Sequence, residues 1–180
     1  MLKRSSKTEK GSRVGGAPRL LVVDDNPDVA CLLSKLFRRA GYQVAEVGDH
    51  QVAMVTLINE PEPITAIVVS YSNAGAGACL KMLDAVRNNP DPRISTMRVI
   101  LIIDSPRQQM FSWQSGADDI LLRPYHATQM LQAVKFAIER NDAERSAYRR
   151  QRIEGIKTAT IRGVDVPVDP ALVRSAANFM

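Results

Sequence analysis

The side chains able to do chemistry gather where short apolar runs end. Asp24, Asp25 and Asn26 follow the run 20–23, Ser70 follows 66–69, Asp104 follows 99–103 and Arg123 follows 120–122. Adjacent carboxylates suit a hard cation such as Mg²⁺, which takes oxygen ligands. The same residues also cap helices and order loops, and for Asp24 and Asp25 both readings stay open. No Asp or Glu lies between Glu62 and Asp84, so the third run ends without a carboxylate whatever its register. His50 and His126 stand at helix starts with no metal-ligating partner at useful spacing, and read as caps or surface residues. Asp118 and Asp119, after Gly116, read as turn and strand-entry residues. No complete nucleophile–base or metal set is present, so the sequence does not describe an enzyme.

A second group of charges lies further on. Arg145, Arg149 and Arg152 share one face of a helix at i, i+4 and i+7. Cations near a helix end are favoured by its dipole and by water. The alternative is recognition of an anion, whether a nucleotide, nucleic acid or an acidic protein patch.

The elements that position these groups follow from the hydrophobic pattern. The run 20–23 is uninterrupted, as in a strand buried on both faces. Pro27 fits a first helical position with Asn26 as cap. Val29, Leu32, Leu33, Leu36 and Phe37 then recur at helical spacing until Gly41. A second strand over 42–47 leads to a helix capped by Asp49, which carries Val52, Val55 and Ile58 as its apolar positions. A third strand (66–69), a small-residue loop (70–77), a helix (78–88) and a loop (89–92) follow. A fourth strand (99–103), a weaker helix (108–115), a short fifth strand (120–122) and a helix from Ala127 complete the pattern. Five strands alternating with five helices predict a parallel sheet with right-handed crossovers and helices on both faces. Chemistry in such a fold belongs at the carboxyl ends of the strands, where Asp24, Ser70, Asp104 and Arg123 stand.

Composition sets the outer bounds. Apolar residues are 45% of the 180, as in a globular chain. No apolar run is long enough to span a bilayer, and none precedes Leu20, so the expectation is no secretory signal and a cytoplasmic location. Cys31 and Cys79 read as small buried hydrophobes, not as a disulfide framework. The first nineteen residues carry six Lys/Arg against one Glu. Residues 1–18 read as a disordered basic arm, either a solubilising tail or a contact for nucleic acid or an anionic surface.

Two motifs identify a resemblance. Leu21-Val22-Val23-Asp24-Asp25-Asn26 before an amphipathic helix, and Gly116-Ala117-Asp118-Asp119-Ile120-Leu121-Leu122-Arg123-Pro124-Tyr125 about 90 residues later, resemble the CheY-like receiver domain of bacterial response regulators over residues 19–140. The resemblance implies a flavodoxin-like (βα)5 doubly wound sheet in the order 2-1-3-4-5. It also implies a phosphorylation site built from an acidic pair, an acceptor Asp, a Thr or Ser, and a Lys. Asp24 and Asp25 match the acidic pair. Ser70 stands at the acceptor, Ile103 at the hydroxyl position with Asp104 beside it, Arg123 at the lysine, and Ile120 at the switch aromatic. Loss of all four together implies a degenerate pseudo-receiver. No cofactor is implied beyond Mg²⁺ at Asp24 and Asp25, and an ion-pair network of Asp24, Asp25, Asp104 and Arg123 is the alternative to metal.

Residues 141–180 read as an extension. The last helix is expected to continue unbroken over 127–153 and stop at Gly155, with a hairpin over 158–168 and a short helix from Asp169-Pro170. In receivers, the face of helix four, strand five and helix five is the usual dimer or partner surface. Here it would present Trp113, Ile120 and Leu131, with Trp113 anchoring a homodimer. The function expected is a two-component or phosphorelay signalling module that binds a protein partner independently of phosphorylation. The alternatives are an anionic second-messenger sensor, for a cyclic dinucleotide for example, using the arginines, and a DNA-associated regulator using the basic arm.

Overall fold

The computed structural model describes residues 16–71 and 76–161. Five strands form one sheet: β1 (Arg19–Val23), β2 (Gln43–Val47), β3 (Ala66–Ser70), β4 (Arg98–Ile103) and β5 (Asp119–Leu122). Their order is β2-β1-β3-β4-β5 and every pairing is parallel. The register sets Val23 opposite Val69 and Ser70 opposite Ile102, so the carboxyl ends of the central strands lie level. This is the doubly wound architecture that the alternation predicts.

Each apolar run buries both of its faces. Leu21, Val23, Ile67, Val69 and Leu101 pack beneath α2 (His50–Asn59) and α3 (Ala76–Arg87). Leu20, Val22, Val68, Ile100 and Ile102 pack beneath α1 (Pro27–Arg39) and α6 (Ala127–Glu139). α1 starts as expected: Asn26 accepts from the N–H groups of Asp28 and Val29 at 3.0 and 3.3 Å. Gly41 ends it at φ 90°, a conformation open to glycine. The segment 89–92 leads into a short helix, α4 (Pro92–Ser95), capped by Asp91. A 3₁₀ turn (Pro106–Gln108) then precedes α5 (Gln109–Gln114).

Two expectations fail, each for a physical reason. α2 buries Ala53 and Leu57, while Val52, Val55 and Ile58 point to solvent at 51, 57 and 58% exposure. The helix is apolar on both sides, so periodicity alone does not choose its inner face. The last helix is also broken. α6 ends at Glu139, Arg140 is extended, and α7 runs over Asp142–Ile161. Asn141 and Glu144 cap each other reciprocally, the Glu144 N–H donating to Asn141 and the Asn141 N–H to Glu144 at 3.0 and 2.8 Å. Arg98 ties off α6 by donating to the carbonyls of Ala137 and Arg140. α7 passes through Gly155 without stopping, so residues 158–161 are helical, not one arm of a hairpin. The rest of that hairpin, the Asp169 helix and residues 1–15 of the basic arm lie outside the described residues.

α7 lies along the chain's own domain. Near its start, Arg145 donates to the Thr96 carbonyl, just before β4. Further along, Arg152 lines a cavity with Leu122 and Arg123 at the carboxyl end of β5. The helix therefore runs beside the β5 edge in the strand direction. Among the described residues no helix is long and apolar enough to cross a membrane.

Candidate functional site

The topology delivers Asp24, Ser70, Asp104 and Arg123 to one place. Asp24 follows β1, Ser70 ends β3, Asp104 follows β4 and Arg123 follows β5. Asp24 is 3% exposed and Ser70 2%. The Ser70 hydroxyl donates to Asp24 Oδ2. Arg123 closes the cluster: one guanidinium nitrogen lies 3.0 Å from Ser70 Oγ and 3.4 Å from Asp24 Oδ2, and the other donates to Asp104 at 2.9 Å. The remaining Asp24 oxygen accepts the Asn26 N–H at 2.9 Å. Burial works against the Arg123 cation, but the flanking carboxylates Asp104 and Asp24 outweigh it and hold its pKa above the usual arginine range.

The arrangement does not fit a Mg²⁺ centre. Both Asp24 oxygens already accept from donors of the chain, and one faces a fixed cation. Asp25 is exposed and makes no hydrogen bond or ion pair with the described residues, so it is outside the expected ion-pair network. Among the described residues no three His, Cys, Asp or Glu side chains are grouped to hold a metal. Ile103 is buried and offers only its carbonyl, which accepts the Arg123 N–H at 2.9 Å. The Ser70 hydroxyl has its proton on a carboxylate and a guanidinium against its oxygen, a held position and not that of a free nucleophile.

A second Asp–Arg assembly lies at the opposite end of the sheet, and sequence reasoning did not find it. The Asp118 side chain is 1% exposed. It accepts from the Val99 N–H at 2.8 Å and from Arg87 at 2.8 Å. Arg145 reaches it through two nitrogens at 2.8 and 3.0 Å, and Arg149 at 3.2 Å. Asp118 is thus a structural centre and not merely a turn residue. Burial and its two arginine neighbours pull Arg87 down to about 10, against the upward pull of Asp118. Next door, burial pushes Asp119 up to about 6, with Arg140 opposing.

This clamp accounts for the helical arginine face. Arg145 and Arg149 bind an anion of their own chain, Asp118, and carbonyls of residues 96, 116 and 117. Arg152 reaches higher and stands 5.7 Å from the Trp113 ring centroid. Trp113 is fully buried, edge-on to Tyr148 of α7 at 5.6 Å, and Tyr148 carries the Arg140 guanidinium over its ring at 3.6 Å. Trp113 therefore anchors a contact within the chain. Ile120 lines the same cavity as Trp113, whereas Leu131 is half-buried against the other core layer. His126 takes the expected cap position before α6 and donates its N–H to Gln129. Cys79 is a buried thiol pushed up to about 12 by burial, whereas Cys31 is exposed and so departs from its expected burial.

No family model matches the chain. The DNA-binding response regulator MtrA of Mycolicibacterium smegmatis is 27% identical over 138 residues, covering 70% of this chain and 53% of that protein. The DNA-binding dual master transcriptional regulator RpaA of a Synechocystis species is 25% identical over 128 residues, covering 69% and 51%. The chain spans about half the length of the curated relatives it matches. Among solved structures, the chemotaxis response regulator CheY4 of Vibrio cholerae aligns with a TM-score of 0.59 at 19% identity, covering 67% of this chain and 98% of that one. A response regulator from Thermotoga maritima aligns with a TM-score of 0.59 at 21% identity, covering 69% and 99%. The structural likeness is one of fold, and it matches the receiver fold nearly whole.

Proposed function

We propose that this chain, which has the receiver fold and response-regulator relatives, is a signalling module held in one state by its own arginine and read by a protein partner without phosphorylation. The observation that carries the reading is the Arg123 guanidinium, seated between Asp24, Ser70 and Asp104. A receiver that accepts phosphate needs a carboxylate nucleophile and open positive charge to meet the transferred group. Here the acceptor position is a hydroxyl bound to Asp24, and the only cation of the cluster is neutralised by two carboxylates. An incoming phosphoryl group would have to displace Asp104 from Arg123 and then sit beside it.

Binding to a protein is supported by α2. Its ten residues carry no Lys, Arg, Asp or Glu. Large apolar side chains on a helix are ordinarily turned to a core, yet Val52, Val55 and Ile58 form an open stripe. The Trp113 side of the domain, where the family resemblance places partner contacts, is taken up by α7. The partner surface is accordingly α2, and its complement is the apolar face of a protein helix.

Intact mass after incubation with acetyl phosphate and Mg²⁺ tests the first half. No adduct is expected, and an added phosphoryl group on the chain would sink the proposal. The second half is read by co-purification from the native host. Val55→Asp with Ile58→Asp should lose the partner that the unaltered chain retains, with unchanged circular dichroism. Equal retention by both rejects α2 as the surface.

A further inference from the structure

Beside the open stripe of α2 runs a groove between α2 and α3. It holds about 630 Å³ and is walled by Met54, Ala78, Met82 and Ala85, with Lys81 at its rim. Ile58 follows Met54 by four residues, so on a helix the stripe of Val52, Val55 and Ile58 adjoins the groove wall. Methionine walls adapt to varied apolar side chains. The rim has one unmatched charge. The Asp49 carboxylate caps α2, accepting the N–H groups of Gln51 and Val52 at 2.6 and 3.0 Å. Lys81 is exposed and has no ion pair or hydrogen bond with the described residues. The groove therefore suits an apolar helix with an acidic start.

The chain carries such a sequence in residues 162–180, outside the described residues. Asp169 and Pro170 have cap and first-position chemistry. Leu172, Ala176 and Phe179 follow at i, i+4 and i+7, with Arg174 and Asn178 on the opposite side. We propose that residues 169–180 form a helix that seats along α2 in this groove, in the same molecule, with Asp169 at Lys81. Its role rests on α2 being the partner surface: the segment competes with the partner for that face. The lengths match, since Val52 to Ile58 is about 9 Å of helix and Leu172 to Phe179 about 10.5 Å. The reach is sufficient as well. α7 runs in the strand direction and ends at Ile161, beyond Arg152, which already meets the carboxyl end of β5. α2 starts at His50, after β2, on that same side of the sheet. β5 and β2 are the two edge strands, four spacings apart, or about 19 Å. The eight links from Ile161 to Asp169 span up to about 26–29 Å. A segment arriving from there meets the start of α2 with Asp169 first.

The test compares the full chain with its Leu172→Asp/Phe179→Asp variant and uses a peptide of residues 167–180 as probe. A tether this short gives an effective concentration on the order of 1 mM. With a peptide Kd of about 100 µM, amides of residues 50–59 should exchange about tenfold faster in the double variant than in the unaltered chain. The peptide should bind the double variant at about that Kd and restore slow exchange. Adding Val55→Asp with Ile58→Asp should abolish peptide binding with unchanged circular dichroism. Lys81→Glu should weaken the peptide about threefold, as for an exposed ion pair, and a peptide with Asp169→Lys should recover the loss. Sedimentation should give one mass for the unaltered chain and the double variant. Equal exchange in the two chains, no peptide binding by about 2 mM, or binding indifferent to Val55→Asp with Ile58→Asp overturns the seat. A dimer lost in the double variant also overturns it, by placing the segment on a second copy. The two readings fail separately. If Val55→Asp with Ile58→Asp loses the peptide but keeps the partner, the seat stands and the partner surface is elsewhere; if it loses the partner but keeps the peptide, the seat falls alone.

Discussion

The two ends of this sheet hold the same chemistry in opposite settings. At the carboxyl end, one arginine with a side chain 32% exposed serves Asp24, which is buried, and Asp104, which is 50% exposed. At the amino end, one carboxylate at 1% exposure receives three arginines that are 17, 11 and 28% exposed. The first cluster stands where the fold places ligand chemistry and is closed by a single cation. The second lies away from that edge and joins α3, β4 and α7 through one atom group. Aspartate and arginine alone do not distinguish a site from a brace. Burial and the number of elements joined do.

The largest effect should come from the brace. Asp118→Asn keeps an acceptor for the Val99 N–H but takes the shared counter-charge from three crowded guanidiniums, leaving Arg145 only the exposed Asp142. Removing one partner of a buried charge assembly costs about 3–5 kcal/mol. Thermal unfolding should show a Tm lower by about 6–20 °C, at about 2–4 °C per kcal/mol for a domain of this size. Hydrogen exchange in residues 142–161 should rise, and Trp113 emission should move to the red as α7 leaves it. A Tm within 2 °C of the parent would mean that the three arginines do not depend on Asp118.

The neighbouring Asp119 gives the amino end a pH signature. Its pKa of about 6 in the folded chain exceeds the ordinary value of 3.8 because burial disfavours the charge. Between those values the folded chain binds a proton that the unfolded chain lacks, so stability should rise as pH falls from 7 towards 5. The ceiling is about 3 kcal/mol from a shift of roughly two units, and the Arg140 contact reduces what is realised. Asp119→Asn should flatten this slope in urea titrations at pH 5, 6 and 7; an unchanged slope would assign it to another group.

The break between α6 and α7 makes a smaller contribution. Asn141→Ala removes the cap at the start of α7 and should cost about 1 kcal/mol. Because the Asp118 clamp lies within α7 and not at its end, exchange should quicken in residues 142–145 and hold at 148–156. Loosening of the whole helix would show that the cap, and not the clamp, seats α7.

The sheet was legible because a strand buried on both faces has to be an uninterrupted apolar run, and four of the five strands are. Convergence of Asp24, Ser70, Asp104 and Arg123 was legible for the same reason, since parallel strands bring their carboxyl ends level. Asp25, the next residue, is exposed and takes no part in the cluster, and residue order carries no sign of that. α2 was misread because Val52, Val55, Ile58 and Ala53, Leu57 both make helical stripes, and the bulkier set faces outward. The α6–α7 break had a signal in Asn141-x-x-Glu144, concealed by a stretch free of Pro and Gly; Gly155 looked like a stop but costs a helix interior only about 1 kcal/mol. Asp118 could not be identified beforehand, because its partners lie 27 to 31 residues away on either side and only packing brings them together.

The smallest effect should come from the cluster that gives the chain its character. Arg123→Met removes the guanidinium but keeps the aliphatic stem. Asp24 is not orphaned, because the Ser70 hydroxyl and the Asn26 N–H still donate to it, and Asp104 is exposed enough to be solvated. A partly exposed pair of this kind is worth about 0–1 kcal/mol, so the Tm should drop by about 4 °C at most, against about 6–20 °C for Asp118→Asn. The variant should differ in cation response instead. With the fixed charge gone, Asp24 and Asp104 are left without a counter-ion, and Mg²⁺ at millimolar concentration should raise the Tm of Arg123→Met while leaving the unaltered chain unmoved. Equal loss of stability in the two variants would erase the distinction between site and brace. A Tm of Arg123→Met that is indifferent to Mg²⁺ would show that the arginine does not occupy the place of a cation.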